Sequence, residues 1–337
     1  MITAARTGRV QLAKHFTPAK PGTKLAGFEV MAEIGRGAAS IIYLASDAKS
    51  KQVWALKHVL RRDEKDQRFI DQAASEYAIA QKVKNPRLRH IERMVKGRAR
   101  LLQLKELFLV MEYVDGLSLE LHPPETMRGA VDVLRQTAEG LAHMHKCGFV
   151  HADMKPNNIV VREDGSVKII DLGQACAIGT VKERIQGTPD YIAPEQVHRR
   201  AITPQTDIYN LGATMYWVVT GKHIPTAMSG GRGEGSGTSG GSLLEGLDED
   251  QVPKATPARE VNPGVPIDLS DLIDECVRPK MVERPDSMLD VATTLAEVLE
   301  DLDGDDSARM PKEREPDNED LADTSDVVPS GRGDSSG

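Results

Sequence analysis

Several polar residues in this chain have types and spacings suited to binding phosphates. Gly35-Arg36-Gly37-Ala38-Ala39-Ser40 puts two glycines in a short loop between strand-like stretches, where the backbone can fold over phosphates that larger side chains would keep away. Lys57 closes Val53-Trp54-Ala55-Leu56-Lys57, so its ammonium could reach those phosphates from a rigid strand while the small Ala55 faces an adenine ring. Glu76 could pair with Lys57 and fix the ammonium in place. A second group lies downstream. His151-Ala152-Asp153-Met154-Lys155-Pro156-Asn157-Asn158 carries a carboxylate, an ammonium and an amide at fixed spacing, and Asp171 follows in Asp171-Leu172-Gly173. Taken singly, a glycine loop reads as a tight turn, a strand lysine or helix glutamate as solvent-facing, and a loop Asp or Asn as a turn former.

These residues need elements to hold them. Residues 28–59 read as three antiparallel strands: an apolar stretch ends in the glycines, residues 41–44 resume it, 47–51 turn, and 53–56 follow. Phe69, Ile70, Ala73, Ala74, Tyr77 and Ala80 recur at helical spacing, with a stop expected near Asn85 because Pro86 disfavours helix before it. Residues 107–113 form another strand. Val131, Leu134, Ala138, Leu141, Ala142 and His145 mark a helix ending before Gly148, and the chain beyond Ala201 is mainly helical. Asp153 thus lies between a helix and the strand-like Ile159-Val160-Val161, and Asp171 follows the apolar Val167-Lys168-Ile169-Ile170.

Composition narrows the classes. The chain has 337 residues, 39% hydrophobic and 28% charged, which suits a globular protein with ample core. A formal charge of -8 argues against a dominant nucleic-acid surface, so no nucleic-acid partner is expected. Cys147, Cys176 and Cys276 are widely separated without metal-ligand spacing, and no apolar run is long enough to span a bilayer, so a cytoplasmic protein without a membrane span is expected. Residues 1–27 read as a leader that wraps the domain or stays mobile, 229–242 as a flexible Gly/Ser insertion, and 303–337 as an acidic disordered tail. There is no internal repeat.

In order and spacing, the two groups resemble the signature set of the eukaryotic-type (Hanks-type) serine/threonine protein kinases, with soluble bacterial members the most similar in kind. The resemblance covers roughly four-fifths of the chain. It implies an α+β, two-lobed protein kinase fold at 28–302, with a small antiparallel β-sheet lobe carrying one main helix at 28–114 and a larger, mainly helical lobe at 115–302. It also implies ATP as phosphoryl donor and Mg2+, or Mn2+ in its place, as the metal. The implied partners are proteins with Ser/Thr acceptors. Asp153 would accept or orient the substrate hydroxyl's proton, Lys155 would meet the transferred phosphate, and Lys57 with Glu76 would complete the catalytic set. Asn158 and Asp171 would hold the metal, and a site of one carboxylate, one amide and phosphate oxygens suits magnesium. The implied nucleotide site comprises Ile34, Gly35, Gly37, Ser40, Ile42, Ala55, Lys57, Met111, Glu112, Val114 and Val160. Met111 would be the gatekeeper, and the backbones of Glu112 and Val114 would bond adenine.

Gly187-Thr188-Pro189-Asp190-Tyr191-Ile192-Ala193-Pro194-Glu195 resembles the end of an activation segment that builds a protein-substrate platform. Thr188 lies near the phosphoacceptor position, and Glu195 would anchor to Arg284. Asp207 is similar to a helix-start aspartate that supports the catalytic loop. Lys155, two residues after Asp153, follows the Ser/Thr rather than the Tyr pattern. Three positions depart from the family: Ser40 replaces the third loop glycine, Leu172 takes the place of Phe, a mild change, and Ala152 stands where many members carry an Arg that clasps a phosphorylated activation loop. Activity less dependent on that phosphorylation is therefore expected. The competing readings are a pseudokinase scaffold and a small-molecule phosphotransferase; Lys57, Glu76, Asp153, Asn158 and Asp171 are all present, which favours catalysis, and residues 187–195 with Arg284 favour a protein substrate.

Overall fold

The computed structural model describes residues 17–97, 99–100, 103–228, 248, 251–302 and 310–317. Alternating side chains build the first lobe. The short β1 (Lys24–Leu25) precedes β2 (Phe28–Gly37), β3 (Ser40–Asp47) and β4 (Val53–Leu60), which pair antiparallel in sequence. Helix α1 (Gln67–Ala80) and β5 (Ile91–Lys96) follow. A two-stranded ribbon of β6 (Ala99–Arg100) and β7 (Gln103–Leu104) comes next, then β8 (Glu106–Glu112), which inserts between β4 and β5. The six-stranded sheet has the order β1-β2-β3-β4-β8-β5. In β8, Leu107, Leu109 and Met111 face the main core with Ile70 and Ala73 of α1, whereas Phe108 and Val110 face a smaller core with Phe28, Ile41 and Tyr43. The period of two thus gives this sheet two apolar faces.

The structure bears on two expectations here. Part of the leader is in place on the sheet: β1 pairs with β2, and the Ala19 N–H donates to the Tyr43 hydroxyl at 3.0 Å. Helix α1 ends at Ala80 rather than near Asn85, because Gln81 turns its side chain to the Ile91 carbonyl at 2.6 Å and fixes the exit of the chain.

The second lobe begins with the short β9 (Leu117–Ser118) and α2 (Met127–Lys146), whose Thr126 cap accepts from Gly129 N. Strand β10 (Phe149–Val150) enters the catalytic loop. Strands β11 (Ile159–Val161) and β12 (Val167–Ile169) form a hairpin against β9, and β13 (Cys176–Ala177) pairs with β10. Then come α3 (Pro194–Val197), α4 (Pro204–Thr220), α5 (Ala258–Val261), α6 (Ile267–Cys276) and α7 (Met288–Asp301). From Thr206 to Thr220, α4 is buried on every side, as suits the central helix of a lobe.

The Gly/Ser insertion at 229–242 lies outside the described residues. The tail departs from expectation in part: residues 310–317 lie along the end of α4, with the Trp217 indole N–H donating to the Glu315 carbonyl at 2.8 Å. Among the described residues, no helix is long and apolar enough to cross a membrane.

Candidate active site

Three charged groups from three elements meet between the lobes. Lys57 on β4 projects beneath the sheet, where its Nζ lies 2.8 Å from Glu76 Oε2 on α1 and 3.6 Å from Asp171 Oδ1. Burial works against the Lys57 charge, but the two carboxylates raise its pKa on balance. Lys57 in turn holds the Asp171 carboxyl well below the usual carboxylate range. Asp171 sits at φ 62°, a left-handed conformation held in part by the Gly173 N–H donating to Oδ1 at 3.1 Å. Its side chain is 49% exposed, so the carboxylate is open to the cleft.

The residues predicted from sequence to line a nucleotide site lie on or beside β2, β3, β4, β8 and β11. Gly37 and Ser40 face each other across the two-residue turn joining β2 and β3, and Gly35 pairs with Ile42. A Cβ on Gly37 would lie 2.9 Å from Ser40 Oγ, so the serine fits because its partner is glycine. Ile34 is exposed, and Ile42 is partly buried against the main core. Ala55 and Met111 are register partners on β4 and β8, both buried, and Val160 is buried on β11. At the chain crossing between lobes, the Glu112 carboxylate pairs with Arg162 at 2.5 Å and Lys168 at 2.8 Å. Its N–H donates to the His90 carbonyl at 2.8 Å. The Glu112 side chain is thus spent on structure.

The catalytic loop is tied from behind. In α4 the polar residues Asp207, Asn210 and Thr214 recur at helical spacing along one face. Asp207 accepts from His151 N at 2.8 Å, Ala152 N at 2.7 Å and the His145 ring. Burial would raise the Asp207 pKa, but these donors bring it below its usual value. Ala152 takes φ 61° between those bonds. On the open side, Lys155 Nζ donates to Thr188 Oγ1 at 2.7 Å, and that hydroxyl donates to Asp153 Oδ1 at 3.2 Å. Asn158 Nδ2 donates to the Asp153 carbonyl at 2.8 Å, leaving Oδ1 as the amide atom with ligand character. The Asn158 carbonyl accepts from Ile170 N at 2.9 Å, which joins the catalytic loop to the residue before Asp171.

The activation segment ends on a buried bidentate pair. Arg284 reaches Glu195 at 2.8 and 3.0 Å with both side chains fully buried, and its remaining donors go to the carbonyls of Arg278, Gln205 and Pro279. Thr188, predicted near the phosphoacceptor position, is only 2% exposed and committed to Lys155 and Asp153.

Comparison with known proteins agrees with this geometry. Residues 28–295 match the protein kinase domain family. The chain belongs to the protein kinase family. It is 28% identical to a probable serine/threonine-protein kinase of Clostridium acetobutylicum, over 85% of this chain and 42% of the relative. It is 30% identical to the serine/threonine-protein kinase PknL of Mycobacterium tuberculosis, over 81% of this chain and 66% of the relative. The serine/threonine-protein kinase PrkC of Bacillus subtilis is 30% identical over 60% of this chain and 32% of its own length. The chain thus spans from under half to about two-thirds of the first two of these relatives. The two-lobed α+β kinase fold expected from the motifs is the fold observed.

Some residues of the kinase site were not singled out from sequence. Gln196 donates to the carbonyls of Ala152 at 2.9 Å and Gln186 at 3.2 Å, and Asn210 donates to the Tyr191 carbonyl at 2.7 Å. The signal for Asn210 is an amide three positions after Asp207 on the same face of a buried helix; Gln196 has none beyond its place beside Glu195. Lys182 donates to the Gln174 carbonyl at 2.6 Å and Oε1 at 3.1 Å, stapling the middle of the activation segment to its start. Ala152 is buried with Val150 and Ile202 against Cys176. An apolar cluster therefore surrounds residue 152. Burial pushes the Cys176 thiol up, as expected of an inert cysteine.

Proposed function

We propose that this chain is a serine/threonine protein kinase that transfers the γ-phosphoryl group of ATP to Ser or Thr hydroxyls of proteins. The observation carrying this reading is the Lys57 ammonium lying between Glu76 at 2.8 Å and Asp171 at 3.6 Å. That contact joins β4 and α1 of the first lobe to the metal-type carboxylate of the second, the arrangement a working kinase requires.

Asp153 is the base in this proposal: it takes the proton as the acceptor oxygen bonds to the γ-phosphorus and the bond to the β-phosphate oxygen breaks. Lys155 faces the transferring group and neutralises charge on it. Lys57, held by Glu76, binds and orients the ATP phosphates. Hard oxygen donors on Asp171 and Asn158 fit a divalent cation such as Mg2+, which would neutralise phosphate charge when bound. The adenine would lie between Ala55, Val160 and the β2–β3 roof, against the Glu112 and Val114 backbones. A cytoplasmic location fits the three free cysteines, which lie among the described residues.

The test is transfer from labelled ATP to a generic protein acceptor with Mg2+, Mn2+ or Ca2+, beside Asp153→Asn and Lys57→Ala. Wild type should label serine and threonine with Mg2+, and each variant should lose about 100-fold or more in kcat. Equal labelling by wild type and both variants would remove the proposal.

A further inference from the structure

Residues 310–317 lie beyond the stretch that matches the family, which ends at residue 295, yet they make specific contacts with the kinase domain. The contacts follow from the end of α4. A helix C-terminus leaves carbonyls without partners and carries negative potential. Arg314 meets both needs: its Nη2 donates to the Val218 carbonyl at 3.2 Å, and its guanidinium lies over the Trp217 ring at 5.4 Å. The Glu315 N–H donates to the Gly221 carbonyl at 2.7 Å, and the Glu315 carboxylate accepts from His223 N at 2.9 Å. Gly221 itself takes φ 73°, and a Cβ there would lie 2.4 Å from the Glu313 carbonyl oxygen. Only glycine satisfies both the helix cap and the close passage of the tail.

The segment delivers Asp317 to the activation segment. The Tyr191 hydroxyl donates to Asp317 Oδ1 at 2.5 Å, and the His223 ring stands 3.8 Å from Asp317 and 4.0 Å from Asp190. Tyr191 is 2% exposed, and its backbone is already fixed from inside, with the carbonyl on Asn210 and the N–H on the Thr188 carbonyl at 3.0 Å. Thr188 in turn holds Lys155 and Asp153. A continuous path therefore runs from the tail carboxylate through Tyr191 and Thr188 to the catalytic loop. The Pro189 carbonyl, in the same turn, is held by the Thr226 hydroxyl at 2.7 Å.

We propose that Asp317, presented by residues 310–317, is a positioning residue that fixes the protein-substrate platform at 187–191 through the Tyr191 hydroxyl. The inference rests on the kinase reading. The tail is then a working part of the substrate side of the site, and protein substrate, not ATP, feels its loss.

The test uses the full chain with Asp317→Ala, Tyr191→Phe and the double variant, with dephosphorylated casein as acceptor. Each single change should raise KM for casein about fivefold, as expected for losing a hydrogen bond to a charged group, with KM for ATP unchanged. The double variant should match Asp317→Ala, because the Tyr191 hydroxyl has lost its carboxylate partner already. Hydrogen exchange reads the same contact without activity: in Asp317→Ala, amides of residues 187–193 should exchange about tenfold faster. Unchanged exchange there overturns the proposal whatever the activity. Faster exchange with an unchanged casein KM, or additive effects in the double variant, also overturns it. Absence of transfer by wild type overturns the kinase reading and with it the catalytic role given to Asp317, while exchange still reports whether the contact exists.

Discussion

At the scale of single residues, a few polar groups are buried because others need them there. Asp207 shows this most directly: a fully buried carboxylate that accepts two catalytic-loop N–H groups and the His145 ring. Its folded pKa lies below the ordinary 3.8, so its contribution to stability is fully present above that value and is lost as pH falls through the lower folded value. Asp207→Asn cannot accept both N–H bonds, and should lower stability by about 2–3 kcal/mol at neutral pH. Thermal melts against pH should show the gap between wild type and variant closing below about pH 3.8. A gap that stays constant to pH 2.5 would count against this assignment. At this scale the sequence was informative wherever chemistry is local: Asp153, Lys155, Asn158 and Asp171 could be picked out from spacing. The partners of Asp153 could not, because the bond from Thr188 joins residues 35 positions apart, and no spacing rule connects a loop Asp to a loop Thr at that distance.

At the scale of elements, the activation segment shows how an order of motifs becomes a device. Ala152 was legible as a departure, and the structure packs it in an apolar cluster with Val150 and Ile202. What was not legible is a staple nearby. Lys182 reaches back eight positions to Gln174, a contact set by the path of β13 and not by any period. Burial lowers the Lys182 pKa, and Cys176 and Asp153 nearby offset part of that effect. Because the staple is an ammonium and not a phosphate, phosphatase treatment should leave the transfer rate within about twofold of the untreated enzyme, since no charge-assisted bond to a phosphate is lost. Lys182→Met, which keeps the stem and removes the donors, should lower kcat about tenfold with KM for ATP unchanged, and Lys182→Arg should recover part of it. Near-total loss of activity on dephosphorylation would show instead that the segment relies on phosphate.

At the scale of the whole molecule, the lobes are not independent. One apolar cluster runs from Ala55, Val59 and Ile70 of the first lobe to Leu134, Ile159 and Leu172 of the second. The two-lobed order was legible because strands and helices are segregated along the chain; the placement of 310–317 was not, because a short polar stretch with prolines carries no apolar period. A shared core makes a single cooperative melt the expectation, and makes ligands in the cleft act on the stability of both lobes. At 100 times its Kd, a ligand bound only by the folded state adds about 2.7 kcal/mol. For a domain of this size that is about 4–5 °C in Tm. ATP alone, and ATP with Mg2+, should each raise the single transition, the second by more. In Asp171→Asn the rise from ATP alone should persist while the extra rise from Mg2+ disappears, because on the proposed reading the change removes the carboxylate that holds the cation and leaves Ala55, Met111 and Val160 untouched. Two separate transitions, or an undiminished Mg2+ increment in Asp171→Asn, would mean that the lobes melt apart or that the cation is held elsewhere.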